Sequence, residues 1–154
     1  MELRCLTDDT ALVRAAKKLN LGVLPVQPPE FCYRRAEKDA NRLSWGAVNS
    51  SDVLCGAAIA DLEIERDGQR VVQLRTLVVG TQFRRQGIGR KLVMQIIQQA
   101  KELHEVGSVR LHVHEANEDG LAFYKALGFT EVARLEDYYR HLEPRTALVM
   151  QFSL

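Results

Sequence analysis

Two neighbouring runs, Arg70-Val-Val-Gln-Leu-Arg-Thr-Leu-Val-Val79 and Arg84-Arg85-Gln86-Gly87-Ile88-Gly89-Arg90-Lys-Leu-Val-Met-Gln-Ile-Ile-Gln-Gln-Ala-Lys101, carry most of the architectural information in this chain. The first is rich in β-branched residues and predicts a strand. Strict alternation puts Val72, Leu74, Thr76 and Val78 on a core-like face, and Gln73 and Arg75 on the other, between Val71 and Leu77. In the second, Ile88, Leu92, Val93, Ile96, Ile97, Ala100 and Leu103 recur at helical spacing, which predicts an amphipathic helix over about residues 87–104. Between them lies a basic turn with two glycines. Glycine lets the backbone turn tightly and approach a ligand closely, while the first helical N–H groups are unpaired and sit at the positive end of the helix dipole. With the arginines they would form a phosphate cradle. The spacing matches neither G-x-G-x-x-G nor G-x-x-x-x-G-K-[ST]. Close packing of helix on strand would also account for the glycines.

Toward the N-terminus, residues 6–19 read as a helix, with Thr7 or Asp8 as N-cap and Leu12, Val13, Ala16 and Leu19 on one face. Residues 21–31 read as a loop stiffened by Pro25, Pro28 and Pro29. Its Val23, Leu24, Val26 and Phe31 are more apolar than a surface connection requires, so it could line a pocket. A second helix is expected at 34–41 and strands at 43–48 and 53–65, the latter ended by the turn Asp67-Gly68. Beyond the central helix, residues 109–115 alternate again, with Val109, Leu111 and Val113 opposite Arg110, His112 and His114. Asn117 can N-cap a short helix that Gly128 would end, and strands follow at 129–135 and 146–152. Interleaved helices and strands with a late hairpin indicate a mixed-sheet α/β fold, and no repeat or linker divides residues 1–154, so a single domain is expected.

Composition agrees: 154 residues, 46% hydrophobic and 27% charged, with a formal net charge of +1, describe an ordinary globular domain rather than a disordered, coiled-coil or collagen-like chain. Charge is unevenly spread. From residue 68 to 101 there is no acidic residue, while Arg70, Arg75, Arg84, Arg85, Arg90, Lys91 and Lys101 are basic, which suits a small polyanion. The basic side chains cluster at a helix start with few interleaved aromatics, so a nucleic acid is not the expected partner. Cys5, Cys32 and Cys55 fit neither a disulfide framework nor a metal site, and read as reduced packing residues. No apolar run approaches the roughly 20 residues that span a bilayer, and the first residues lack the pattern of a signal peptide, so a cytoplasmic location without membrane attachment is expected.

Arg84-x-x-Gly87-x-Gly89 between strand and helix, together with Asn117 and Phe123-Tyr124-x-x-x-Gly128-Phe129, resembles the acetyl-coenzyme A signature of the GNAT N-acetyltransferase superfamily. Within it, Leu111-His112-Val113, Asn117-Glu118 and Tyr138-Tyr139-Arg140-His141-Leu142-Glu143-Pro144 look like the protein N-terminal acetyltransferases, of the NatE catalytic-subunit type. The resemblance runs over about residues 19–149. It implies the GNAT fold, a mixed, mostly antiparallel twisted sheet of about seven strands flanked by about four helices. It also implies direct transfer of acetyl from acetyl-CoA to an amine in a ternary complex, without a metal.

By this resemblance, backbone amides at Leu77, Val78 and Val79 would hold the thioester and pantetheine arm. Those of Arg85, Gln86, Gly87, Ile88, Gly89 and Arg90, with Arg84, would hold the pyrophosphate, and Asn117 and Tyr124 would complete the cosubstrate site. Tyr124 would also act as general acid toward the departing sulfur. His112 is the implied base, with His114 a second candidate on the same face. Gln73 stands where relatives carry a tyrosine that helps hold a water, and glutamine can orient a water but cannot exchange a proton at neutral pH. Leu24, Pro25, Val26 and Pro28 would form the pocket for the substrate's first side chain, expected to be methionine or similarly apolar. Tyr138 and Tyr139, followed by Arg140 and His141, would lie over the peptide, and Arg75 would favour an acidic second residue. The amine chemistry is consistent: at pH 7 an α-amine of pKa about 7.7–8.0 is roughly a tenth neutral, a lysine of pKa about 10.4 only about 0.04%. The implied partners are a peptide or protein N-terminus and a larger N-terminal acetyltransferase complex. Acetylation of lysine or a small amine, or a CoA-binding subunit with weak activity, are the alternatives.

Overall fold

A computed structural model describes residues Met1–Leu154. Seven strands form one twisted sheet in the order β1-β2-β3-β4-β5-β7-β6. These are β1 (Glu2–Cys5), β2 (Trp45–Val48), β3 (Leu54–Ile64), β4 (Arg70–Val79), β5 (Val106–His114), β6 (Thr130–Leu135) and β7 (Ala147–Ser153). Every neighbouring pair is antiparallel except β4 and β5, which run parallel because α3 (Ile88–Lys101) crosses over between them. The edge strand β1 lies outside the strands expected from the sequence: four residues are too few for a periodicity to register.

α3 buries Ile88, Leu92, Val93, Ile96, Ile97 and Ala100 against one face of the sheet, where they meet Ala58, Ala60, Val72, Leu74, Val109, Leu111 and Val113. α4 (Glu118–Ala126) flanks the same core through Leu121, Phe123 and Tyr124. The opposite face is covered by α1 (Thr10–Val23) and α2 (Glu30–Lys38), with Val13, Ala16, Cys32, Tyr33 and Ala36 packed on Ala57, Ile59 and Val78. No helix is long and apolar enough to cross a membrane.

Both early helices differ from the sequence expectation by about one turn. α1 starts later because Asp9, not Thr7 or Asp8, caps it, its carboxylate accepting the Leu12 N–H at 2.9 Å. Asp8 sits at φ 61 and Thr7 donates to the Asp39 carbonyl, so neither is free to cap. The helix continues through Asn20, fully buried and donating to the Tyr33 hydroxyl at 2.9 Å, which takes the first residues of the expected loop into the helix. α2 begins directly after Pro29, a residue compatible with a helix start, and ends before Asp39, whose carboxylate accepts from the Asn41 and Leu43 N–H groups.

In β4 the expected strict alternation fails. Ile59 pairs with Thr76 and Ala60 with Leu74, leaving Arg75 as a bulge. One extra residue reverses the phase of a strand. Val72 and Leu74 therefore face α3, whereas Val78 faces α1 and α2, and Leu77 and Val79 turn to the α3 side. Just before the bulge β4 also parts from β5, their last pair being Gln73 with Arg110, while β5 continues to His114 paired with β7.

Candidate active site

Where β4 and β5 part, a cleft of about 390 Å³ opens. Its floor is residues 73–77 of β4 and 111–114 of β5. One wall is residues 24–29 with Phe31 and Cys32, the other is Tyr138, Tyr139 and Leu142, and Asn117 and Tyr124 lie at one end. A second recess of about 400 Å³, lined by Leu77, Val79, Phe83, Arg84, Arg85, Gly87, Ile88, Gly89, Arg90 and Phe123, adjoins it, Leu77 bordering both.

The recess is built on the start of α3. Gly87 precedes the helix at φ 75, a left-handed conformation natural to glycine, and no side chain caps the first N–H groups. At Gly89 a Cβ would come within 3.3 Å of the Phe123 ring, so this glycine keeps α3 close to α4. Close packing and a helix start with unpaired N–H groups thus occur together. Arg84, Arg85 and Arg90 are exposed, and Arg84 touches only the Val79 carbonyl, at 3.4 Å. Gln86 is exposed and lies outside the lining, and the Val78 side chain is buried toward α1 and α2, so only its backbone belongs to the open strand edge.

His112 projects from β5 into the cleft, half-buried and stacked on Tyr138 with centroids 4.9 Å apart and planes at 29°. Burial first, then the cations of Arg75 and Arg110, push its pKa below the ordinary value, against an opposing pull from Glu63. The shift favours the uncharged ring at neutral pH. His114 lines the same cleft, but its Nε2 is hydrogen-bonded to the Pro144 carbonyl at 2.5 Å and its ring meets Tyr139 edge-on. These contacts tie its ring to the loop that carries the tyrosines.

Gln73 is 6% exposed and its amide makes no hydrogen bond within the protein, leaving it free toward the cleft. Arg75 differs: its guanidinium grips Asp61 through two hydrogen bonds of 3.0 and 2.9 Å and has Glu63 at 3.7 Å. A cation answered by two carboxylates has little charge left for an acidic substrate residue. Tyr124 packs edge-on between Phe123 and Phe129. Burial pushes its phenol well above the ordinary range, so it stays protonated throughout the physiological range. Asn117 caps α4, its Oδ1 accepting from the Gly120 N–H at 3.0 Å, and its NH₂ makes no hydrogen bond within the protein.

Leu24, Pro25, Val26 and Pro28 line one wall as a group, and Gln27 fastens that wall by donating to the carbonyls of Asn20 and Leu24 at 3.0 and 2.9 Å. Arg140 and His141 are exposed and outside the lining. The sequence reading passed over Thr76, Cys32 and Leu142. Thr76 is placed here by the bulge, which strict alternation cannot show, and its hydroxyl is buried without a partner. Cys32 reached the cleft because α2 begins early. Leu142 falls in the Tyr138–Pro144 stretch that carries the resemblance, which gave it no role of its own. No cluster of three or more His, Cys, Asp or Glu side chains is arranged to hold a metal ion.

A profile of the acetyltransferase (GNAT) family matches residues 12–129. The chain is 30% identical over 142 residues to "Probable N-acetyltransferase san" of Drosophila melanogaster, covering 92% of this chain and 76% of that one. It is 26% identical to "N-alpha-acetyltransferase 50" of Danio rerio, covering 92% and 83%. Among solved structures, Arabidopsis thaliana Naa50 in complex with the bisubstrate analogue CoA-Ac-MVNAL superposes with a TM-score of 0.85 at 29% identity, over 99% of this chain and 98% of that one. With its seven-stranded sheet, its parted central strands and an uncapped helix start beside them, the chain belongs to the GNAT family of acetyltransferases and is similar, within it, to Naa50.

Proposed function

We propose that the chain is a single-domain protein N-terminal α-amino acetyltransferase that takes its acetyl group from acetyl-CoA and favours methionine or another apolar first residue. The observation that carries this reading is the meeting of two sites at Leu77: an apolar-walled cleft with an uncharged histidine, and a recess of free helix N–H groups and unpaired arginines. The recess suits the anionic, elongated cosubstrate. Amides of Arg85, Gln86, Gly87, Ile88, Gly89 and Arg90, with the Arg84 side chain, would hold the pyrophosphate, and the open edge at Leu77, Val78 and Val79 the pantetheine arm. When bound, acetyl-CoA supplies the activated acyl group as a thioester.

His112 takes the proton released as the amine is acylated, and its lowered pKa keeps it in the accepting form at pH 7. Gln73 orients the amine or a water by hydrogen bonds and moves no proton. Tyr124 offers its hydroxyl to the departing sulfur. Because burial weakens it as an acid, while an ordinary thiol has a pKa of about 8.5, it serves chiefly as a hydrogen-bond donor to the thiolate. Leu24, Pro25, Val26 and Pro28, with Phe31, receive the first side chain, and Tyr138 and Tyr139 cover the peptide backbone. The test uses a Met-started peptide with an internal lysine, with the α-amine free or blocked. Acetylation of the free α-amine, lost on blocking, supports the reading, and acetylation confined to lysine or small amines contradicts it.

A further inference from the structure

Phe31 lines the cleft wall and is 37% exposed. One helical turn further along α2, the Arg35 guanidinium lies over its ring, 4.6 Å from the centroid. Stacking fixes the plane of the guanidinium while leaving its N–H fork to solvent, the form in which arginine binds a carboxylate through two hydrogen bonds. No carboxylate of the protein answers it. The acids of α2 are engaged elsewhere, Glu30 with Lys17 at 2.7 Å and Glu37 with the Thr10 hydroxyl at 2.5 Å. Arg34 beside it, and Arg140 beyond the two tyrosines, are exposed and likewise without ion-pair partners. Within the cleft, by contrast, the lining cation Arg75 is paired with Asp61 and Glu63. The cation inside the cleft is thus answered within the protein, whereas the arginines at its rim are not. A peptide that carries a carboxylate soon after its first residue offers these arginines a partner.

Building on the N-terminal acetyltransferase reading, we propose that Arg35 is a specificity-determining residue that selects N-termini with an aspartate or glutamate at the second to fourth position, after an apolar first residue. An extended chain advances about 3.3–3.6 Å per residue, so these residues leave the cleft at its rim. Arg75, whose charge is taken by Asp61, is not the selecting cation. Exposed ion contacts of this kind are worth about two- to fivefold in an equilibrium and weaken with salt.

The experiment compares kcat/KM for Met-started peptides carrying Asp or Asn at position two, three or four, at low and high salt. It uses the wild type, Arg35→Gln, Arg35→Glu and, as a surface control, Arg66→Gln. The expected result is a two- to fivefold preference for Asp at one or more positions at low salt, shrinking as salt rises. Arg35→Gln brings the ratio to about one, Arg35→Glu inverts it, and Arg66→Gln keeps it. Turnover with no Asp/Asn discrimination in the wild type, or a ratio unmoved by Arg35→Glu, overturns this inference alone. Absence of turnover on every peptide overturns the functional reading and this inference with it.

Discussion

The surroundings of His112, a half-buried ring on Tyr138 with two arginines nearby, lower its pKa. A base with a lowered pKa gains activity as pH rises through that value, so the acid limb of kcat/KM is expected below the ordinary histidine value of about 6.5. Arg75→Met removes one cation and leaves Asp61 without its two hydrogen bonds, and both changes favour a proton on His112. The limb should move to higher pH, and a limb that stays or moves lower would contradict the arrangement. The same variant strands a carboxylate whose side chain is only 10% exposed, which should cost about 1.5–3 kcal/mol of stability in denaturant melts. His112 was legible in the sequence as a polar residue on an alternating strand. The engagement of Arg75 with Asp61 was not, because nothing in the local pattern tells which strand will lie beside which.

The strand, glycine turn and helix over residues 70–101 were read nearly as they fold, because six apolar residues of α3 bury on one face and long periodic segments leave little ambiguity. Two local events escaped that logic: the bulge at Arg75 and the late start of α1 at Asp9. A bulge adds one residue to one strand and leaves composition untouched, and the choice among Thr7, Asp8 and Asp9 as cap is settled by tertiary contacts. The turn before α3 makes its own predictions. Gly87→Ala forces a side chain into the left-handed region and should cost about 1–2 kcal/mol, read as a lowered thermal midpoint, together with weaker acetyl-CoA binding. Replacing Arg84 and Arg85 together by glutamine should raise the KM for acetyl-CoA about tenfold and flatten its salt dependence, since exposed cations act on a polyanion through screened charge. An unchanged KM would remove these arginines from the cosubstrate site.

Across the whole molecule the functional reading rests on topology. A single parallel pair in an otherwise antiparallel sheet, parting midway along its length, puts the uncapped start of α3 and the polar face of β5 on either side of one opening. Composition and charge marked the basic interval, and the motifs marked the family. The depth of the cleft and the pairing of Arg75 with Asp61 emerged only when β3, β4, β5 and the two loops were assembled. The most direct test of the account is CoA release from acetyl-CoA with a Met-started peptide, comparing wild type with His112→Ala while acetyl-CoA binding is monitored separately. The account predicts turnover by the wild type and a loss of about 10²-fold or more in kcat for the variant, with acetyl-CoA binding retained. Equal turnover by both proteins, or none by a wild type that binds acetyl-CoA yet acetylates small amines, would contradict it.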